Sequence, residues 1–264
     1  MLEQKKEGLL FMIDVVYQYI NGPAAWNELR YSLRSLEKHL KEPFKVWVVG
    51  EKPGWLTNVN HISHQRVPGV HFTNSFDANS KMELAINHPK IGDNILWMYD
   101  DMYLLRDCVL RDFDVYLAVN HYDDLNHSSS NTHKEIVIDT LKILLEHNRS
   151  AYNCETHTPR LYNKTILQDV FKKYNPKDVR LAASTLYFND LFYELQPHIM
   201  QKADKYKAGF YGFDDPYSFI SNNVEEITEI LSGKTFLNHN NEGLSVALKS
   251  VVEQRFPDKC SFEK

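Results

Sequence analysis

The stretch Asn94-Ile-Leu-Trp-Met-Tyr-Asp-Asp-Met-Tyr-Leu-Leu105 limits the folding of this chain more than any other. Asn94 to Met98 carry no charge and make a run short enough for a strand buried on both faces. Tyr99 and then Asp100-Asp101 end that run, and a second apolar run, Met102 to Leu105, follows at once. Two adjacent carboxylates between buried segments are costly to desolvate unless a cation or hydrogen-bond donors stand beside them. A divalent cation carrying a nucleotide pyrophosphate suits such a pair, because Mg²⁺ is held through one or two carboxylates plus phosphate oxygens. Open α/β sheets also bind their ligands at the carboxyl ends of strands. The alternative is a strand-ending turn whose two acids are merely solvated.

The rest of the chain supports an α/β sheet around that strand. Leu9 to Ile20 is β-branched and aromatic and runs into the turn residues Asn21-Gly22-Pro23, which predicts a first strand. Asp14 lies inside it, either facing outward or buried with a partner. Asn27 reads as the cap of a helix to about Leu40, with Leu29, Leu33, Leu36 and Leu40 as its apolar stripe. Arg30 and Arg34, four apart, project together from a neighbouring face. They are either surface residues, with Arg34 paired to Glu37, or a phosphate-binding pair. Phe44 to Val49 is a second strand ended by Gly50, which completes a βαβ unit and starts a parallel sheet. His61 to Val67 allows a short third strand, Gly69 to Ser80 reads as loop, and Ser80 to Asn87 as helix. Beyond the acidic pair, Val115 to Val119 allows a strand and Thr132 to His147 predicts a helix. Pro159 keeps the segment Glu155-Thr-His157-Thr-Pro159 out of a helix, so His157 is expected on a loop. Asn163 caps a helix to Tyr174, Val179 to Phe188 reads as a strand with Arg180 near its start, and helices are expected over Asn222 to Leu231 and Glu242 to Arg255. The whole reads as one domain. Its α/β part covers about residues 1–130, and a mainly helical part covers about 131–264.

Composition removes several function classes. The net charge is −5 and no block of like charge exceeds a few residues, so a sequence-independent nucleic-acid binder is disfavoured. Cys108, Cys154 and Cys260 are odd in number and far apart, which suits a reducing compartment and neither a disulfide framework nor a metal-ligand spacing. No apolar stretch approaches the roughly 18 residues of a membrane span, and Met1 to Gly8 is unlike a signal peptide. The expected location is cytoplasmic, free or peripheral to a membrane. The 15 Tyr, 14 Phe and 4 Trp suit a core and also contacts to sugars and bases.

Several blocks, in order, resemble the Stealth family of sugar-phosphate transferases, which includes bacterial capsular-polysaccharide phosphotransferases and the catalytic part of the lysosomal-enzyme GlcNAc-1-phosphotransferase. Ile13-Asp-Val-Val-Tyr17 with Asn21-Gly22 resembles the family's opening "IDVVYTWVDG". Asn27 to Ser35, Val46 to Val49 and Pro53-Gly-Trp-Leu56 resemble its "ELRYSLRS", strand and "PxWL" run. Asn79-Ser80, Glu83 and the strand ending in Asp100-Asp101 resemble "FNSxxIE…FIYxNDD". His157-Thr-Pro159 resembles a His-x-Pro block, and Phe236 to Glu263 resembles the last. The chain departs from the pattern at Asn21, usually Asp, and at Tyr99, usually Asn. The insertion that normally separates the first two blocks is reduced to Gly22-Pro-Ala-Ala-Trp26.

The resemblance implies a GT-A-like, mostly parallel sheet flanked by helices. It implies transfer of a sugar 1-phosphate from a nucleoside-diphosphate sugar, such as a UDP-sugar, to a hydroxyl of a capsule or cell-surface glycan. Asp100 and Asp101 would hold Mg²⁺ or Mn²⁺, and Arg30, Arg34 and Arg180 would bind phosphate oxygens. Asn79 and Ser80 would contact the donor, Asp14 would organise the loop at Asn21-Gly22, and His157 would be the general base. Two other readings stay open: a GT-A glycosyltransferase that moves the sugar itself, and a catalytically degenerate glycan-binding protein.

Overall fold

The structure, a computed structural model, describes residues 12–20, 26–66, 73–125, 132–212 and 217–264. It is an α/β protein in which mixed, mostly parallel sheets are flanked, among the described residues, by seven α-helices. Strand β1 (Ile13–Tyr19) is buried along nearly its whole length, as its run of branched and aromatic side chains requires. Helix α1 (Glu28–His39) follows, then β2 (Phe44–Gly50) and the short β3 (Asn60–Ser63). Gly50 closes β2 at φ +123°, where a Cβ would fall 2.0 Å from the Tyr19 carbonyl oxygen, so only glycine lets the two strand ends lie side by side. Helix α2 (Thr73–Ile86) leads to β4 (Asn94–Tyr99), and the Asp100-Asp101 turn passes directly into β5 (Met102–Leu104).

Further along come β6 (Leu117–Ala118), β7 (Asn120–His121), α3 (Thr132–Glu146), β8 (Tyr152–Asn153), β9 (Arg160–Asn163), α4 (Lys164–Tyr174) and α5 (Ala183–Leu191). Last are β10 (His198–Ile199), β11 (Lys207–Phe210), β12 (Ser218–Phe219), α6 (Val224–Leu231), β13 (Phe236–His239) and α7 (Val246–Arg255). The main sheet has the order β3-β2-β1-β4-β9, parallel throughout except for β9. A second sheet, β12-β11-β13-β5, is parallel except for β5. The acidic pair therefore sits where the chain leaves one sheet and enters the other.

Alternation along the strands sorts the core. Val16, Trp47, Val49, Ile95 and Trp97 face the side covered by α2 to α5, while Val15, Tyr17, Val46, Val48, Leu96 and Met98 face α1. Helix α1 buries Leu29, Leu33 and Leu36, and two of its serines reach the second sheet. The Ser32 hydroxyl donates to the Met102 carbonyl, and Ser35 Oγ accepts from the Leu104 N–H at 3.0 Å. Those bonds fix β5, and with it the turn just before it.

Several sequence expectations need correction. Helix α2 begins at Thr73, inside the stretch read as loop. Its Asn- and Ser-rich first turns have weak helical propensity, which packing overrides. Val179 to Phe188 holds no strand; from Ala183 on it is helix α5, which continues to Leu191. Ala183, Leu186, Tyr187 and Phe188 are all buried, and an element buried on every side gives the same continuous apolar signal as a central strand. The last helices start later than expected, on Asn223 and Ser245 caps that accept from the N–H of Glu226 and Leu248. The C-terminal half also supplies strands: β9 extends the main sheet, and β11, β12 and β13 make up most of the second. Residues 9–11 of the first strand expectation lie outside the described residues. Among the described residues, no helix is long and apolar enough to cross a membrane.

Candidate active site

At the carboxyl ends of β1 and β4, two adjoining hollows of about 550 and 410 Å³ share Asp101, His133, Glu155 and His157 in their walls. The larger lobe is also lined by Gln18, Asn79, Tyr99, Asp100 and the start of α5. The smaller lobe reaches β7, the start of α3, and Tyr211, Tyr217 and Asn238. Gln18 and Tyr99 are register partners on the adjacent strands β1 and β4, so parallel pairing alone brings the end of β1 beside the acidic pair.

The acidic pair is electrostatically unsatisfied. Asp101 Oδ1 is sealed from solvent and has no hydrogen-bond partner. Burial first, then Asp100 and Glu28, push the Asp101 carboxyl well above its ordinary range. Asp100 is pushed up to about 6 by burial, against the opposing effects of its own backbone N–H and Lys81. Glu28, at the start of α1, is pushed up to about 7, by burial first and then by Asp100. Three carboxyls that burial pushes toward the protonated form, with Asp100 adding repulsion at Asp101 and Glu28, are a site lacking positive charge. Two lysines offset them in part: Lys249 acts on Glu28, and Lys81, which acts on Asp100, is buried and already bound to Asp77 at 2.6 Å.

That charge deficit fits a hard divalent cation of one particular kind. Among the described residues, no group of three or more His, Cys, Asp or Glu side chains has metal-holding geometry. A closed, all-protein site is therefore absent there. Two carboxylates, one with an orphaned oxygen, suit Mg²⁺ or Mn²⁺ that completes its shell with water and phosphate oxygens.

His157 projects into both lobes from a braced loop. Its backbone has φ +47°, a left-handed conformation that costs a non-glycine residue about 1 kcal/mol. Around it, the Thr156 and Thr158 hydroxyls lie 2.9 Å apart and Lys207 Nζ donates to the Thr156 carbonyl at 2.6 Å. Strain held in place by such bracing is characteristic of functional loops. His157 is exposed to the cavity, yet its ring stands among Tyr99, His133 and Tyr211, at centroid separations of 6.4, 6.1 and 6.2 Å. Those walls, and after them Lys207 and His133, hold its pKa below the ordinary histidine value, so the imidazole is neutral at pH 7.

The other sequence-predicted residues divide. Asn79 lines the larger lobe, where its amide donates to the Pro176 and Leu181 carbonyls at 2.9 and 2.8 Å and so anchors the lobe's floor. Ser80 is buried behind it, outside the lining, with no partner for its hydroxyl. Arg180 adjoins the floor and lies 3.8 Å from Glu135, but it does not line the cavity. Asp14 lies at the amino end of β1, away from the cavity. It accepts from the Trp47 indole and from the Gly92 N–H at 2.6 Å, and Lys45 lies 3.1 Å away. Asp14 is thus tied to the amino end of β1, and the loop at Asn21-Gly22 that it was expected to organise lies outside the described residues.

Arg30 and Arg34 stand outside the cavity. Both engage Glu263: Arg30 Nη1 at 2.8 Å, and Arg34 through Nε at 2.6 Å and Nη2 at 3.0 Å. Glu263 is held down to about 2 despite its burial, chiefly by Arg34. Glu37, the alternative partner for Arg34, accepts from Ser261 instead. Neither arginine lines the cavity; both fasten the C-terminal segment to α1.

Sequence reasoning missed Glu155, His133, Gln18 and Glu28. Glu155 stands two residues before His157 and accepts from the Thr185 N–H at 3.2 Å, which aligns the loop with α5. No periodicity marks any of the four, although Glu28 lies inside the block Asn27 to Ser35 and Glu155 stands just before His157. No protein-family model matches the chain, and no curated protein matches it.

Proposed function

We propose that this protein is a metal-dependent, GT-A-like transferase that takes a nucleoside-diphosphate sugar as donor and delivers a sugar 1-phosphate to a glycan hydroxyl. The observation that carries the reading is the orphaned oxygen of Asp101, beside Asp100, in a cavity it shares with His157. The ordered resemblance to sugar-phosphate transferases supports it. A bound Mg²⁺ or Mn²⁺ would neutralise charge on the pyrophosphate and on the leaving nucleotide. Asp100 and Asp101 would hold that ion, and Asn79 would keep the larger lobe's floor in shape for the donor.

In the reaction, an acceptor hydroxyl oxygen bonds to the β-phosphorus and the bond to the bridging oxygen breaks, so a nucleoside monophosphate leaves. His157, already neutral, takes the hydroxyl proton. Positioning and electrostatic stabilisation do most of the work in such transfers.

One observation favours a second reading. With Arg30 and Arg34 bound to Glu263, the phosphate-binding pair implied by the family is engaged elsewhere. Transfer of the sugar itself, with release of a nucleoside diphosphate, asks less of such a pair. Incubation with a panel of nucleotide sugars, Mg²⁺ or Mn²⁺ and glycan acceptors, followed by nucleotide analysis, separates the two. Monophosphate released in step with product supports phosphoryl transfer, and stoichiometric diphosphate overturns it in favour of glycosyl transfer.

A further inference from the structure

The smaller lobe differs in chemistry from the larger one. Of the four asparagines in its walls, three have their amides engaged. Asn153 Oδ1 accepts from the Glu155 N–H at 3.1 Å, and Asn238 Nδ2 donates to the Asp101 carbonyl at 3.1 Å. Asn240 Nδ2 donates to the Tyr211 carbonyl at 3.0 Å. Asn120 is different: its Oδ1 is sealed and unpartnered, although β7 is pinned to β8 through the Asn120–Asn153 pair. Two side chains that line the lobe, Asn120 and Asp101, thus carry an oxygen with no partner and no exposed surface, and each meets a donor by turning into the lobe. A ligand hydroxyl provides one, and being donor and acceptor together it meets the amide in either orientation.

Charge and shape narrow the ligand. Among the described lining residues, the carboxylates Asp124 and Glu155 face one lysine, Lys134, while Asp101, its carboxyl pushed well above the ordinary range by burial, adds no charge as long as it keeps its proton. His239 adds no charge at pH 7, because burial pushes its pKa down to about 4. Such a wall disfavours anions. The Tyr211 and Tyr217 rings meet nearly edge to face, with centroids 6.4 Å apart and planes at 76°, and form an aromatic corner of the kind that packs on sugar C–H faces.

We propose that the smaller lobe binds the acceptor as a neutral, polyhydroxylated sugar, with a hydroxyl of that sugar donating to Asn120. The inference rests on the proposed transferase reading for the word acceptor, while the binding chemistry stands by itself. It makes Asn120 and the tyrosine corner the specificity determinants for the acceptor, facing the donor lobe across Asp101 and His157.

The test uses the full chain on an array of neutral and acidic glycans, with UDP and Mg²⁺ binding measured separately by calorimetry. The expected result is capture of neutral glycans in preference to acidic ones. Asn120→Leu should weaken capture at least tenfold, Asn120→Asp should retain it, and UDP affinity should change less than twofold in either variant. Capture confined to acidic glycans, no capture at all, or capture indifferent to Asn120→Leu overturns the inference. So does loss of UDP binding in a folded Asn120→Leu variant, which would assign the lobe to the nucleotide. If neutral glycans bind while no nucleotide sugar does, this inference stands and the transferase reading fails.

Discussion

Replacing Asp100 by Asn should make the metal-free protein more stable, and only above acidic pH. Asp100 is pushed from an ordinary value of 3.8 to about 6, so its charged form is disfavoured in the fold by about 3 kcal/mol. The folded pKa lies above the unfolded one. The folded state therefore holds this proton more tightly, and the protonated carboxyl favours folding fully below about pH 4. That contribution disappears as pH rises through about 6. Asparagine keeps the size and the acceptor oxygen but never ionises. In EDTA, urea titration followed by tryptophan fluorescence should give parent and variant equal stability near pH 4. The variant should lead by about 2–3 kcal/mol at pH 7.5. Adding Mg²⁺ with a nucleotide sugar at a hundred times its dissociation constant should return about 2.7 kcal/mol to the parent alone. A variant no more stable than the parent at pH 7.5, or equally stabilised at pH 4, would falsify the claim that Asp100 is a carboxylate kept short of a cation.

Other outcomes follow from the same geometry. Calorimetry of Mn²⁺ binding with nucleotide present should show affinity rising with pH between about 5 and 8, with protons released, because Asp100 and Glu28 titrate near 6 and 7. A pH-independent affinity would remove the acid cluster from metal binding. Asp101→Asn should abolish metal-dependent donor binding, whereas His157→Ala should slow transfer by about 10²–10⁴-fold and leave donor affinity nearly unchanged. Undiminished turnover in His157→Ala would reject it as the base. Glu263→Gln should destabilise the fold by about 2–3 kcal/mol by leaving two guanidiniums without their carboxylate. Since Glu263 is held near 2, that difference should be present above about pH 5 and vanish as the parent is acidified through about 2; a constant difference would argue against the ion pair.

The local sequence determined the parts of the fold whose signal is covalent or periodic. Runs rich in β-branched and aromatic residues set β1, β2 and β4, the leucine spacing set α1, and Asn163 capped α4 through Ile166 N–H as its side chain allows. The acidic pair was legible because two carboxylates between buried runs demand a reason. His157 was legible as a loop residue because of Pro159. Tertiary structure decided what depends on partners far along the chain. Arg30 and Arg34 look alike as surface or phosphate residues until Glu263 arrives from 229 positions beyond Arg34. Helix α5 reads as a strand because burial on all sides erases the period that distinguishes the two. Asp14 carries no sign of which end of β1 it serves until Trp47 and Gly92 close around it. The charge deficit at Asp101 arises first from burial, then from Asp100 and from Glu28 on α1, and Asn120 is held by a two-residue ladder. Pairing register and burial create those properties, and neither is a function of local residue pattern.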